Sequence, residues 1–218
     1  LGIRQLREYK LREAEKSFQR VLLQRRQEND AAETAIVLNY LSEVYSLLSE
    51  ATQALKFSQE ALIIAQKSNN RPQEAEALGN IGNAYSGFKQ YSKALDNFQK
   101  SLIIWREIKD VKGEADSLSN IASVYINQGY FTQAIEVLQQ SLSIRRQVKD
   151  SFNEPETIAL LGLSHYTLGN IDQSFEMLNQ ALQFSRKVNN PKAESTALMS
   201  AATVHIFLRQ ADKQLEHM

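Results

Sequence analysis

The sequence repeats itself at a shift of 40 residues, and this periodicity constrains the fold more than any other feature. Without a gap, the shift aligns one leucine in five successive units: Leu22, Leu62, Leu102, Leu142 and Leu182. A second position carries an aromatic residue or a histidine: Tyr45, Tyr85, Tyr125, His165 and His205. A residue suited to cap a helix closes each unit: Asp30, Asn70, Asp110, Asp150 and Asn190. The chain is therefore predicted to consist of copies of one structural unit.

Within each unit the apolar residues follow helical spacing. Leu78, Ile81, Tyr85 and Phe88 form one stripe at i, i+3, i+7 and i+10. After a short break, a second stripe follows, made of Ala94, Phe98, Leu102 and Trp105. The pattern predicts a helical hairpin, with helix A over about 72–88 and helix B over about 91–108. The 8 Gly and 3 Pro are too few for a sheet with many tight turns, which also favours an all-α fold.

The register divides the chain into a single array of four full repeats between two partial ones. The full repeats cover 31–70, 71–110, 111–150 and 151–190, and the partial repeats cover 1–30 and 191–218. Leu1 falls in the middle of a helix A and Met218 early in a helix B, so we expect a fragment of a longer array that could self-associate end to end. The segment from Leu215 to His217 reads equally well as native sequence or as the start of a purification tag.

The second full repeat resembles the tetratricopeptide repeat, with its signature of W-x2-L-G-x2-Y followed by A-x3-F. The matching residues are Leu78, Ile81, Gly82, Tyr85, Ala94 and Phe98. Leu78 replaces the Trp, no Pro closes helix B, and the period is 40 rather than 34. The longer unit is similar to the Leu-Gly-Asn subgroup of spindle-orientation adaptors, kinesin light chains and bacterial signalling proteins. The resemblance implies a right-handed α-solenoid of antiparallel helix hairpins that acts as a protein-interaction scaffold. It also allows a regulatory or sensor segment within a larger signalling protein.

Composition and motifs argue against several other classes of function. The 25 basic and 25 acidic residues cancel, so no global field favours nucleic acid or an anionic membrane. The absence of Cys fits a reducing compartment, and we expect a cytoplasmic protein. No Ser–His–acid set, Gly-rich phosphate loop or metal-binding motif is recognisable, so we expect neither catalysis nor a cofactor or metal. His165 and His205 are expected to be packed core residues, and Trp105 is expected to lie on the core stripe.

A helical wheel predicts which face of helix A binds a partner. Positions opposite the core stripe are expected to face the concave surface and to form the groove. They are Ile36, Tyr40, Glu43, Leu47, Glu76, Asn80, Asn83, Asp116, Asn120, Ser123, Asn127, Glu156, Leu160 and Leu163. Apolar side chains on this face indicate a protein or peptide partner, although they could instead be tucked against a neighbouring helix. The asparagines could pair with a peptide backbone, but exposed Asn on a helix is also common without any function.

The charges of the same helices suggest which peptides would bind. The mapped groove positions of the full repeats contain carboxylates but no Lys or Arg, so a ligand with basic residues is favoured. The positions where a carboxylate clamp needs Lys or Arg hold Gly79, Ser119 and Ala159, so acidic C-terminal tails are not expected. Helix B carries recurrent cations near its C-terminal end: Arg25, Arg26, Arg106, Arg145, Arg146, Arg186 and Lys187. We interpret them as exposed partners of the helix dipole rather than as a nucleic-acid-binding ridge.

Overall fold

The structure is a computed structural model that describes residues 10–216, with side chains described as far as residue 206. This part of the chain is all-α and contains ten helices and no strand. The helices are α1 (Leu11–Gln27), α2 (Ala31–Leu47), α3 (Ala51–Lys67), α4 (Arg71–Gly87), α5 (Tyr91–Glu107), α6 (Val111–Gln128), α7 (Phe131–Gln147), α8 (Glu154–Thr167), α9 (Ile171–Lys187) and α10 (Pro191–Glu216). Even-numbered helices correspond to helix A of the repeat, and odd-numbered helices correspond to helix B.

A residue with left-handed backbone separates successive helices at intervals of twenty residues. These residues are Asn29, Ser49, Asn69, Lys89, Lys109, Gly129, Lys149, Gly169 and Asn189. At the first of them, the amide of Asp30 donates to the carbonyl of Arg25, and the amide of Asn29 donates to that of Arg26. This pair of bonds is the Schellman motif, which satisfies carbonyls at the end of a helix. The 40-residue repeat is thus built from two half-units, each a helix and a tight turn.

Four of the five predicted N-caps are confirmed. The side chain of Asp30 accepts a hydrogen bond from the amide of Glu33, and Asn190 accepts one from Ala193. Asn70 and Asp110 accept amide bonds in the same way. The prediction is wrong for Asp150, because a turn over 151–153 precedes α8 and Asn153 occupies its cap position without a side-chain cap bond. Among the B helices α3, α5, α7 and α9, the cap residue makes no such bond either, so side-chain caps mark four of the five A helices.

Helix boundaries agree with the predicted hairpin to within one residue, since α4 and α5 cover 71–87 and 91–107. The last helix is an exception. The register predicts a turn near residue 210 and a new helix B, whereas α10 continues from Pro191 to Glu216. Extending an existing helix adds one backbone hydrogen bond per residue, and a short polar segment gains little by folding back instead. Leu1, His217 and Met218 lie outside the described residues.

The chain forms two compact units, which we call unit 1 (residues 1–113) and unit 2 (residues 114–218). The core of unit 1 includes Phe18, Leu38 and Leu41, and that of unit 2 includes Leu138, Ile158 and Leu161, all buried. Trp105 is also buried, as predicted, and packs with Leu78 and Ile104 in unit 1. Phe88 is exposed, so its predicted place on the core stripe is wrong, because it lies just beyond the last residue of α4. The prediction of one continuous array over 1–218 stays a prediction.

Small residues allow the two helices of a hairpin to approach closely, as predicted. A Cβ added at Gly82 of α4 would lie 2.6 Å from the ring of Phe98 in α5. A Cβ at Gly162 of α8 would lie 2.9 Å from Cγ of Leu178 in α9. Both distances are shorter than a van der Waals contact, so an alanine at either position would force the facing side chain or the helix to shift. Glycine therefore permits the close approach in these two hairpins, whereas Ser42 and Ala122 occupy the position in the other two full repeats.

Candidate partner-binding surfaces

A pocket opens on the A helices of unit 1, between α2 and α4, which are in direct contact. Its volume is about 180 Å³, and it is lined by Ile36, Asn39, Tyr40, Gln73 and Glu76. Three of these residues were predicted as groove residues, whereas Asn39 and Gln73 were not. The pocket combines apolar walls, side-chain amides and a carboxylate, a mixture that suits a side chain of a bound peptide.

The apolar groove residues of unit 1 are less exposed than the sequence predicts. Ile36, Tyr40 and Leu47 are all half-buried. The ring of Tyr40 stacks on Phe18 of α1, with ring centroids 5.1 Å apart, and Leu47 packs against the core of unit 1. The predicted exposure is wrong for Leu47, which is tucked against its neighbours as the alternative interpretation allowed, because a wheel drawn for one helix omits the neighbouring hairpin. Ile36 and Tyr40 are partly covered but stay accessible where they line the pocket.

Asn80 is buried, so the prediction that it faces a ligand is also wrong. Its Nδ2 donates to the backbone carbonyl of Asn39 at 3.3 Å and to Oδ1 of Asn39 at 3.4 Å. Nδ2 of Asn39 in turn donates to Oε1 of Gln73 at 2.9 Å and to its backbone carbonyl at 3.2 Å. We call Asn39, Gln73 and Asn80 the amide network. It joins α2 to α4, and it places the amide of Gln73 at the wall of the pocket.

The other polar groove residues of unit 1 lie outside the pocket. Asn83 and Glu43 are exposed on the A helices and do not line it. Glu43 already takes part in an interaction within the protein, as does Glu76. Asn83 is thus the asparagine of unit 1 that keeps the exposure expected of a ligand-binding residue.

In unit 2, Arg145 of α7 makes the polar contacts between the A helices. It was predicted to be exposed at a helix end, but it is buried. Its guanidinium donates to Oδ1 of Asp116 and to Oδ2 of Asp150, both at 2.6 Å, and to Oγ1 of Thr157 at 3.1 Å. Asp116 belongs to α6 and Thr157 to α8, so the cation links three helices of unit 2. An Arg can be buried here because two carboxylates compensate its charge.

The remaining groove residues of unit 2 also differ from expectation. Glu156 forms an ion pair with Lys192 at 3.0 Å, and Asp116 is paired with Arg145. Cations from other helices therefore already neutralise both carboxylates, which weakens the predicted preference for a basic ligand in this unit. Leu160 packs against the core of unit 2. Asn120, Ser123 and Leu163 are half-buried, whereas Asn127 is exposed.

His165 occupies the core position of the repeat, as predicted. It is buried, and its Nδ1 lies 3.2 Å from Nδ2 of Asn170. Burial disfavours the imidazolium and lowers the pKa of His165 below its ordinary value. His205 is exposed and its ring lies 5.4 Å from that of Phe175, so the prediction of a buried residue is wrong there. This repeat position is thus buried in α8 but exposed in α10.

Among the residues whose side chains are described, no cluster of three or more His, Asp and Glu side chains could hold a metal ion. Over the same part of the chain, no helix has the length and apolarity to cross a lipid bilayer.

Sequence and structure comparisons agree on the fold. The model of the tetratricopeptide repeat family matches residues 33–107 and 113–187. No curated protein is similar enough in sequence to serve as a relative. A Rap protein complexed with Competence and Sporulation Factor has a TM-score of 0.81 and 14% identity, over 99% of this chain and 68% of that one.

Two further solved structures are longer than this chain. Aspartyl phosphate phosphatase F from Bacillus subtilis has a TM-score of 0.74 and 18% identity, over 96% of this chain and 58% of that one. A signal transduction ATPase with a tetratricopeptide repeat sensor, from Pyrococcus horikoshii, has a TM-score of 0.72 and 18% identity, over 94% of this chain and 31% of that one. Identities this low show a shared fold alone. Together with the family match over both units, they establish that the chain belongs to the tetratricopeptide repeat family.

Proposed function

We propose that the chain is a protein-interaction module whose A helices bind a peptide or a segment of a partner protein. The observation that carries this proposal is the pocket of unit 1, lined by Ile36, Asn39, Tyr40, Gln73 and Glu76. Apolar walls supply contact area for a side chain, while the amide of Gln73, which Asn39 holds in place, stands beside it to fix a polar group. Family membership and the Rap neighbour, whose name includes a bound factor, support the same class of function.

The pocket favours a ligand side chain that is apolar along its length and basic at its tip. Ile36 and Tyr40 would contact the aliphatic part, and the carboxylate of Glu76 stands beside them for an ammonium or guanidinium group. Glu76 is exposed, although it also takes part in an interaction within the protein.

The proposal can be tested by selecting peptides on the chain from a displayed random library and measuring their affinity by fluorescence anisotropy. The change Ile36→Gln should lower the affinity for the selected peptides by about tenfold, as expected when one apolar contact of a pocket is lost. The matched control is Gln59→Ala, an exposed position on α3, which should leave the affinity unchanged. Peptides that bind both variants as tightly as the parent would exclude the pocket as their site.

A regulatory segment of a larger signalling protein is the second candidate. The structure from Pyrococcus horikoshii favours it, because the tetratricopeptide repeats of that protein are named a sensor. This chain covers 31% of that protein's chain. In such a protein, occupation of the pocket would change the activity of an attached domain. The test is whether a pocket-binding peptide alters the activity of the full-length protein and whether Ile36→Gln removes that response. An activity that is independent of peptide would contradict the sensor role.

A further inference from the structure

Three aliphatic side chains are exposed at the same repeat position of the B helices in unit 1. Leu23, Ile63 and Ile103 have 63%, 53% and 55% of their surface accessible, whereas the equivalent residues of unit 2 are Ser143 and Gln183. A position that accepts polar residues elsewhere therefore carries a large aliphatic residue in every B helix of unit 1. Recurrent exposed apolar groups of this kind are typical of an interaction surface.

The three residues occupy one register position on three successive B helices, and we call them the aliphatic row. An ion pair between Arg26 and Glu60 connects α1 to α3, three residues from Leu23 and Ile63 respectively. Leu62 of α3 packs against the cluster that contains Ile104 of α5, and these two residues directly neighbour Ile63 and Ile103 in the sequence. Side chains thus connect α1 to α3, and they connect α3 to a cluster formed by α4 and α5.

The surroundings of the aliphatic row are basic. The helices α1, α3 and α5 together carry ten Lys or Arg against five Asp or Glu, whereas α2 and α4 carry one against four. The carboxylates within one turn of the row are already engaged, Glu60 with Arg26 and Glu107 with Arg71. Arg20 and Lys67, also within about one turn of the row, have no ion-pair partner among the described side chains.

We propose that the aliphatic row binds an acidic amphipathic helix of a partner protein. Leucine-like side chains along one stripe of that helix would cover Leu23, Ile63 and Ile103, and flanking carboxylates would meet Arg20 and Lys67. This surface lies on different helices from the pocket of unit 1. A single chain would then hold two partners of opposite charge, a basic segment on its A helices and an acidic helix on its B helices.

A pair of synthetic peptides tests the proposal. Each is about 20 residues long, or about 30 Å as a helix. Both carry the same stripe of leucines, which is flanked by Glu in one peptide and by Lys in the other. Fluorescence anisotropy should show that the Glu peptide binds at least about tenfold more tightly than the Lys peptide, and that added salt weakens this binding. The triple change Leu23→Gln, Ile63→Gln and Ile103→Gln should abolish the binding.

The matched control changes the equivalent positions of unit 2, Ser143→Ala and Gln183→Ala, and should bind the Glu peptide like the parent. Circular dichroism of both variants checks that they remain folded. Absent binding, equal affinity for both peptides, or an unchanged affinity in the triple variant would each overturn the proposal. Self-association of the chain that disappears in the triple variant would assign the row to a second copy instead. Ile36→Gln should leave this binding intact, so the row and the pocket can fail independently.

Discussion

The two units share one helical framework but tie their A helices together with different chemistry. In unit 1, α2 and α4 are joined by the neutral amide network of Asn39, Gln73 and Asn80. In unit 2, Arg145 connects α6 to α8 by donating to the carboxylate of Asp116 and to the hydroxyl of Thr157, and it also pairs with the carboxylate of Asp150. Apolar positions therefore define the repeated framework, whereas polar groups that link neighbouring helices vary from repeat to repeat. The surface offered to a partner varies with them.

This difference has a consequence for binding. Amides in unit 1 keep hydrogen-bonding groups at the wall of a pocket that Glu76 also lines. In unit 2 the guanidinium of Arg145 and the ammonium of Lys192 neutralise the carboxylates of the A helices. The comparison supports the proposal that unit 1 recognises the peptide. It also predicts that removing a polar link will lower the free energy of unfolding more in unit 2 than in unit 1.

The largest expected effect follows from removing the buried cation. Arg145→Leu leaves the carboxylate of Asp150 buried without its counter-charge, which should lower the free energy of unfolding by about 3–5 kcal/mol. The matched control is Arg146→Leu, whose ion pair with Glu154 is exposed and should contribute no more than about 1 kcal/mol. Urea unfolding followed by circular dichroism measures both. Adding Asp150→Asn to Arg145→Leu should recover part of the loss, because an amide needs no counter-charge. Equal midpoints for Arg145→Leu and Arg146→Leu would show that the buried ion pair is not important.

The amide network should contribute less, because its groups are neutral. Asn80→Ala leaves Oδ1 of Asn39 without the hydrogen bond from Asn80, and the free energy of unfolding should fall by about 1–2 kcal/mol. Asn120→Ala, at the equivalent position of unit 2, is the natural control. Asn120 is half-buried and makes no hydrogen bond with the described side chains, so a change within about 0.5 kcal/mol is expected. If both alanine variants unfold at the same urea concentration, the network does not stabilise unit 1.

Periodicity predicted the helical framework because each repeat places similar apolar residues at the same positions. The hairpin boundaries and four of the N-caps follow from residues that recur at 40-residue intervals, and small residues at the position of Gly82 and Gly162 do the same for the close approach of the helices. The same 40-residue period contains the aliphatic row, since Leu23, Ile63 and Ile103 each follow the core leucine by one residue. The core stripe of helix B alone does not identify it.

The polar links could not be predicted in this way. The position of Arg145 holds Arg25, Ala65, Trp105 and Ser185 in the other units, so no period identifies it. Its carboxylate Asp116 is supplied by a residue 29 positions away on another helix. Asn80 was misplaced for a similar reason, because a wheel shows the face of one helix but not the neighbour that covers it. Groove residues depend on such neighbours, and for that reason the site was predicted less well than the fold.

The smallest expected effect concerns the repeat position that holds Tyr45 and Tyr85 in unit 1, and Tyr125 and His165 in unit 2. Because burial lowers the pKa of His165 in the folded chain, the unfolded chain takes up a proton at a higher pH than the folded one does. The neutral imidazole of His165 therefore stabilises the folded chain fully above the pKa that it has in the unfolded chain. This stabilisation is lost as the pH falls from that value through the lower pKa of the folded chain. Tyrosine has no such equilibrium in this range.

The urea midpoint of the parent should therefore fall more between about pH 7.5 and about pH 5 than that of His165→Tyr. Only the change with pH is compared, so a different stability of the tyrosine variant at neutral pH does not affect the test. His205→Tyr replaces the exposed histidine and should retain the pH dependence of the parent, which separates burial from a general effect of removing a histidine. Parallel pH profiles for the parent and His165→Tyr would mean that unfolding does not expose this imidazole. The tyrosine and histidine repeats would then respond to acid alike, and the difference between the units would be confined to their polar links.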